Sequence, residues 1–332
     1  MPTWGEILQE IQLSAQQRNG VPDWDAIRRK YLTQLHARTQ RDTILYYTDW
    51  MGTAGKPNVS IVLEDMQAMM EVNKDLHGPG LDLILHSPGG SPEATASLVR
   101  YLRSKYTDIR VFVPLAAMSA ATMWALAADE IVMGRHSQLG PIDPQMVTPQ
   151  GQYPARSILE QFEQAKSEIA GDPSLLGAWV PILQQYGPSL LRQCERAEEL
   201  ARQLVQQWLS AYMLRRARNR NEKAAKIAQW FADYGASTSH ALGISRDQAR
   251  AQGLKISDLE DDKALQDAVL SVHHATIHTF QGPAAKIVEN QLGRAWVQLS
   301  QTISIQIPVG APPPGTPPGG PAPVVLPGPI IP

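Results

Sequence analysis

LHSPGG, Leu85 to Gly90, closes a short apolar run, and AMSAAT follows downstream at Ala117 to Thr122. Glycines at the C-terminal end of a strand let a backbone N–H come close to a reacting group, because no Cβ stands in the way. Ser119 lies between two small-residue apolar runs, VFVPLAAM and AATMWALAADEIV. That pattern predicts a buried strand, a tight turn and a helix whose N-terminus meets the serine. Working outward, LDLILHS reads as a buried parallel strand, SPEATASLVRYLRSKY as an amphipathic helix, and DIRVFVP as the next strand. Upstream, TILYYTDW (Thr43 to Trp50) reads as a strand and MGTAGKPN as a polar loop. VSIVLEDMQAMMEVNKDL then reads as a helix ended by His77-Gly78-Pro79-Gly80. Strands and helices alternating in this way build right-handed βαβ units, hence an α/β fold with a parallel sheet covered by helices.

The flanks differ in character. Residues 1–42 read as a helical arm: EILQEIQLSAQQ, then DWDAIRRKYLTQLHARTQ after a break at Gly20 to Pro22, with Asp23 as a helix cap. Such an arm packs on a neighbour or on another subunit, or lies as a simple helix on the surface. Residues 43–150 make the core unit, and residues 151–307 a helical lobe that also completes the core. The lobe's helices fall on SILEQFEQAKSEIAG, SLLGAWVPILQQYG, a charged run from Ser189 to Arg218, and DDKALQDAVLSVHHATIHTFQ. Residues 308–332 are rich in proline and glycine and uncharged, which predicts a disordered tail with polyproline II character. PPPGTPP within it would suit an aromatic groove on a protein partner.

Across 332 residues, 30 basic side chains face 32 acidic ones, so nothing points to nucleic acid or an anionic membrane as a partner. The single cysteine, Cys194, excludes an intrachain disulfide and a multi-cysteine metal site. It fits a cytoplasmic location. MPTWGEILQEIQLSAQQRNG has neither the basic-then-apolar pattern of a secretory signal nor a spanning segment. The most apolar window, Leu115 to Ala128, is too short to cross a bilayer and reads as core. A soluble protein without a transmembrane segment is expected.

The segment from Leu81 to Gln145 resembles the core of the Clp-peptidase and crotonase superfamily, in which SPGG precedes the oxyanion site and a small-residue turn carries the nucleophile. The fuller run, ILHSPGG…VFVPLAAMSAATMWALAADEIVMGRHSQLGPIDPQ, resembles the serine dehydrogenase proteinase family, a distant relative of Clp peptidase and signal peptide peptidase A. SHALGISRDQARAQGLKIS (Ser239 to Ser257) is similar to a later stretch of that family, where a histidine precedes a helix and a Gly-Leu turn. The resemblance implies a Clp-peptidase/crotonase-like core of repeated ββα and βαβ units, a polypeptide substrate, no metal or organic cofactor, and a homo-oligomer. Members often carry a membrane segment, and this chain departs from them there.

A serine hydroxyl needs an adjacent base and donors for the oxyanion. Read without the resemblance, Ser119 would be the cap of a buried helix. The resemblance makes it the nucleophile, with the backbone N–H groups of Gly90 or Gly89 and of Ala120 as oxyanion donors. His240 stands where the family has its histidine, ahead of ISRDQARAQGL. The family's order of Ser, Asp and His then maps onto Ser119, Asp143 and His240. Asp143 also reads as a turn residue fixed between Pro141 and Pro144. At its spacing it could equally face Ser119 directly. Of the other histidines, His36, His77, His273, His274 and His278 read as surface or interhelix residues. His86 reads as shaping the oxyanion strand, and His136 as part of a local turn. A second mechanism is a Ser–Lys dyad of the kind found in signal peptide peptidase A. Lys166, in EQFEQAKSEIAG, would be its base once desolvated, and is otherwise a solvated helix lysine.

The favoured reading is a serine endopeptidase working through an acyl-enzyme. No Walker A motif is present, so the chain does not power unfolding of its own substrate. Two other readings compete: a crotonase-like hydratase or thioesterase on CoA esters, and a non-catalytic oligomeric scaffold whose Pro-rich tail recruits partners.

Overall fold

The apolar runs on either side of the glycine turn become neighbouring strands of one sheet. In chain order the elements are α1 (Trp4–Gln17), α2 (Trp24–Thr39), β1 (Asp42–Thr48), α3 (Asp65–Val72), β2 (Gly80–His86), α4 (Pro92–Lys105), β3 (Asp108–Val113), β4 (Ala116–Ala117), α5 (Ala120–Leu126) and β5 (Glu130–Met133). Next come β6 (Gln138–Leu139), β7 (Gln145–Thr148), β8 (Gly151–Pro154), α6 (Ala155–Gly171), α7 (Leu176–Leu183), α8 (Leu190–Ala211) and α9 (Arg220–Ser237). Last are β9 (Ile244–Ser245), α10 (Arg246–Ala251), β10 (Ile256–Asp258), α11 (Lys263–Thr279), β11 (Ala284–Asn290) and β12 (Ala295–Leu299). The computed structural model describes residues 3–52, 59–149, 151–237 and 242–300. His240 and the Pro-rich tail lie outside the described residues.

The main sheet runs β10-β5-β3-β2-β1-β11-β12. Its first five strands are parallel, while β11 is antiparallel to β1 and β12 to β11. β1 and β2 are buried at every residue, as strands covered on both faces must be. Their side chains divide by the two-residue period of a strand. Ile44, Tyr46, Leu83 and Leu85 enter one core with residues of α3, α4, α5, α8 and α9. Leu45, Tyr47 and Ile84 enter a second with α1, α2 and α11. The first two helices thus pack on their own sheet, and Asp23 caps α2 by accepting from Ala26 N–H at 3.2 Å. The fully buried Arg28 of α2 and its neighbour Arg29 each reach Glu289 of β11 at 2.5 Å. A smaller sheet, β4-β6-β9, and the hairpin β7-β8 stand apart from the main one.

The structure departs from the sequence reading at three places. The helix read over Val59 to Leu76 shrinks to α3, because Ile61 forms a parallel bridge with Gly90 instead. The hairpin of β11 and β12 was not anticipated; AAKIVEN is buried at every position and so shows no alternation, and Gly293 turns the chain at a φ of 79°. His278 is an interhelix residue, its Nε2 3.1 Å from Trp4 O of α1, whereas His273 is buried against the sheet and not at the surface. The Nδ1 of His273 lies 3.2 Å from Tyr47 OH, and its ring centroid 5.8 Å from that of His86.

Candidate active site

β4 delivers the chain into a sharp elbow at Ser119, whose φ of 50° and ψ of −121° are rare for a residue with a side chain. Such a conformation costs of the order of 1–3 kcal/mol and persists only where its surroundings over-determine it. They do so here. Met118 N–H donates to Ser87 O at 3.0 Å, and Ala121 N–H to Met118 O at 2.9 Å. Thr122 Oγ1 donates to Ala117 O at 2.7 Å and accepts from Gly140 N–H at 2.8 Å. Two glycines leave room for the bend: a Cβ on Gly89 would lie 2.8 Å from Ser119 Cβ, and one on Gly140 would lie 3.0 Å from Ser119 N.

Ser119 is the N-cap of α5, yet its side chain makes no capping hydrogen bond. The hydroxyl is therefore not engaged by the role that serines commonly fill at this position. Beside it, Gly89 has a φ of 97° and its N–H donates to Ser87 Oγ at 3.2 Å. Among the described residues, the N–H groups of Gly90 and Ala120 donate to nothing. Ala120 follows the serine directly, and Gly90 lines the same cavity as Ser119.

Ser119 opens into a cavity of about 570 Å³. Apolar lining comes from Trp50, Met123, Ile142, Met146 and Leu200, the last on α8, and polar lining from Glu93, Gln145 and Gln152. Sequence reasoning missed these residues and Gly140. Only Gly140, in the LGPID turn just before Asp143, carried a local signal that could have been noticed.

Asp143 is buried beside this cavity, between the lining residues Ile142 and Pro144, and its Oδ2 accepts from Gln145 Nε2 at 2.8 Å. His240 falls outside the described residues, but the chain just after it is placed. Ile244 pairs with Leu139 in β9-β6, and Ala117 pairs with the same Leu139 in β4-β6. Lys166 is on α6, with 67% of its side chain exposed and its ammonium 3.0 Å from Glu163. It does not line the Ser119 cavity. His86 ties β2 to β4 through its Nδ1, 3.1 Å from Ala116 O. Burial pushes its pKa down to about 4, the hydrogen bond to Ala116 opposing. Among the described residues no group of His, Cys, Asp and Glu is arranged to hold a metal ion, and no helix is long and apolar enough to cross a membrane.

Comparison with known proteins adds a family. A family model described as ClpP-like SDH-type serine proteinase matches residues 28–264. Two uncharacterised proteins of Methanocaldococcus jannaschii are similar in sequence. MJ0137 is 34% identical over 184 residues, 51% of this chain and 62% of the relative. MJ1495 is 33% identical over 142 residues, 40% of this chain and 47% of the relative. The chain thus spans under two thirds of either relative's length. Among solved structures, a serine-to-alanine mutant of the 1510-N membrane-bound stomatin-specific protease aligns with a TM-score of 0.37 and 16% identity, over 63% of this chain and 79% of that one. A lysine-to-alanine mutant of the same protease, in complex with a substrate peptide, aligns at 0.38 and 16%, over 63% and 75%. At such scores neither alignment bears on the site.

Proposed function

Because the chain belongs to the ClpP-like SDH-type serine proteinases, we propose that it is a serine endopeptidase with Ser119 as nucleophile. The observation that carries this reading is the strained elbow at the cavity, where a hydroxyl not used as a cap is followed by Ala120 and shares the lining with Gly90, two residues whose N–H groups donate to nothing among the described residues. In the proposed reaction Ser119 Oγ attacks the scissile carbonyl carbon while its proton passes to a base. The N–H groups of Gly90 and Ala120 take the charge that develops on the carbonyl oxygen. The C–N bond breaks as the base returns the proton to the leaving amine, and water, deprotonated by the same base, then hydrolyses the acyl-serine.

We assign the base to His240 with Asp143 as its partner, ahead of Lys166. Burial of Asp143 beside the cavity supports that order, as does the exposed, Glu163-paired position of Lys166. The β7 strand beside the cavity offers an edge to an extended peptide, and the apolar lining suits an apolar side chain next to the cleaved bond.

Labelling with a fluorophosphonate probe, located by peptide mass spectrometry, tests the reading. Modification at Ser119, absent in Ser119→Ala, is expected together with loss of casein hydrolysis in that variant; unchanged hydrolysis would overturn the assignment. His240→Ala is expected to lose far more activity than Lys166→Ala, and the reverse ranking would establish the dyad.

A further inference from the structure

Three successive residues behind the glycine turn are held by four hydrogen bonds. Ser60 O accepts from Lys286 Nζ at 2.8 Å. Ile61 N–H donates to Gly89 O at 2.7 Å, and Ile61 O accepts from Ser91 N–H at 2.9 Å. Val62 N–H donates to Asp65 Oδ2 at 3.0 Å. The outer two contacts belong to one network. Lys286 Nζ also donates to Asp65 Oδ1 at 2.7 Å, and Tyr46 OH donates to Asp65 Oδ2 at 2.6 Å.

Neither Lys286 nor Asp65 exposes any of its side chain. Burial pulls the lysine's pKa below the usual range, with the charge of Asp65 opposing. Such a pair is a weak source of stability, because desolvation offsets the attraction and apolar residues often serve as well. Its geometry is more informative than its energy. The cation seizes the carbonyl on one side of Ile61 and the anion the amide on the other, while Ile61 grips the turn on both sides of Gly90. There is no slack for a side chain here, since a Cβ on Gly90 would run into the backbone of Ile61.

We propose that Lys286 and Asp65 are positioning residues, which brace the Ser60–Val62 segment and through it aim the Gly90 N–H at the oxyanion. The proposal rests on the peptidase reading above. Neither residue touches substrate; each acts through Ile61 on the direction of a backbone donor, and misplacing such a donor slows chemistry without weakening ground-state binding.

The test is the double variant Lys286→Met with Asp65→Asn, which removes both charges and keeps an amide oxygen for Val62 N–H and Tyr46 OH. A cooperative thermal transition verifies its fold. Amide hydrogen exchange in peptides covering residues 59–62 and 88–91 is expected to quicken about tenfold or more. The kcat for peptide hydrolysis is expected to fall about 10- to 100-fold, with KM changed by less than about threefold. Unchanged exchange overturns the brace, and so does quickened exchange with unchanged kcat or a loss confined to KM. Tyr46→Phe removes one donor to Asp65 without altering charge and should shift both readouts the same way by less; it carries the test if the double variant does not fold. A wild-type protein that neither labels nor hydrolyses would sink the peptidase reading separately, and exchange alone would then decide the brace.

Discussion

Ser119 combines a backbone conformation that disfavours a side chain with a side chain that the helix does not use as a cap. Glycine relieves that conformation, so Ser119→Gly is expected to raise stability by about 1 kcal/mol in denaturant titration while removing all hydrolysis. A stability loss would mean that the elbow is not strained. Gly140→Ala tests the same bend from outside. Its new methyl would press on Met118 and Ser119 at 3.0 Å, and we expect a loss of about 1–3 kcal/mol with slower probe labelling. Gly171→Ala is the control, since nothing lies within 4 Å of that position.

At the scale of elements, the cavity is closed by α8, which presents Ala197 and Leu200 to it. Ala197→Phe should reduce kcat/KM for peptides with large apolar side chains about tenfold or more, while labelling of Ser119 by a small probe stays close to wild type. Equal loss in both would place Ala197 in the chemistry and not in selection. The junction of α2 with β11 tests packing: Glu289→Gln strips the buried counter-charge from the fully buried Arg28, leaving it the exposed Asp25, and is expected to cost about 3 kcal/mol, read from the unfolding midpoint. These elements show where sequence reading succeeds. β1, β2, β3 and α4 were legible because apolar periodicity and turn residues are local signals. Ile61 was not, because its bridge to Gly90 reaches past α3 and β2 in the chain and turns the start of a helix-like run into an extended segment. Lys166 is exposed on α6, in keeping with its reading as a solvated helix lysine. The elbow at Ser119 was legible through its small residues, whereas the braces from Lys286 and Gly140 are tertiary.

At the scale of the whole molecule, two buried histidines make stability depend on acid. His86 has a folded pKa of about 4 against an ordinary 6.5, and burial lowers that of His273 as well. Between those values the unfolded chain binds a proton at His86 that the folded chain refuses, so stability is full above pH 6.5 and falls as pH drops toward 4. His86 alone accounts for about 3 kcal/mol over that window. Thermal melts from pH 7 to pH 4 should show the decline, and His86→Asn, which keeps a donor for Ala116 O, should make it shallower; an identical slope would remove His86 from the account. The sheet order has a further consequence, for synthesis. β1 leaves the ribosome long before β11, its partner on one side, with β2, β3, β5 and β10 made in between. Until Asn290 has emerged, a nascent chain that has already paired β1 with β2 offers the other edge of β1 to any strand at hand. That interval is when this chain most needs a chaperone, and it ends only when β11 arrives to close the gap.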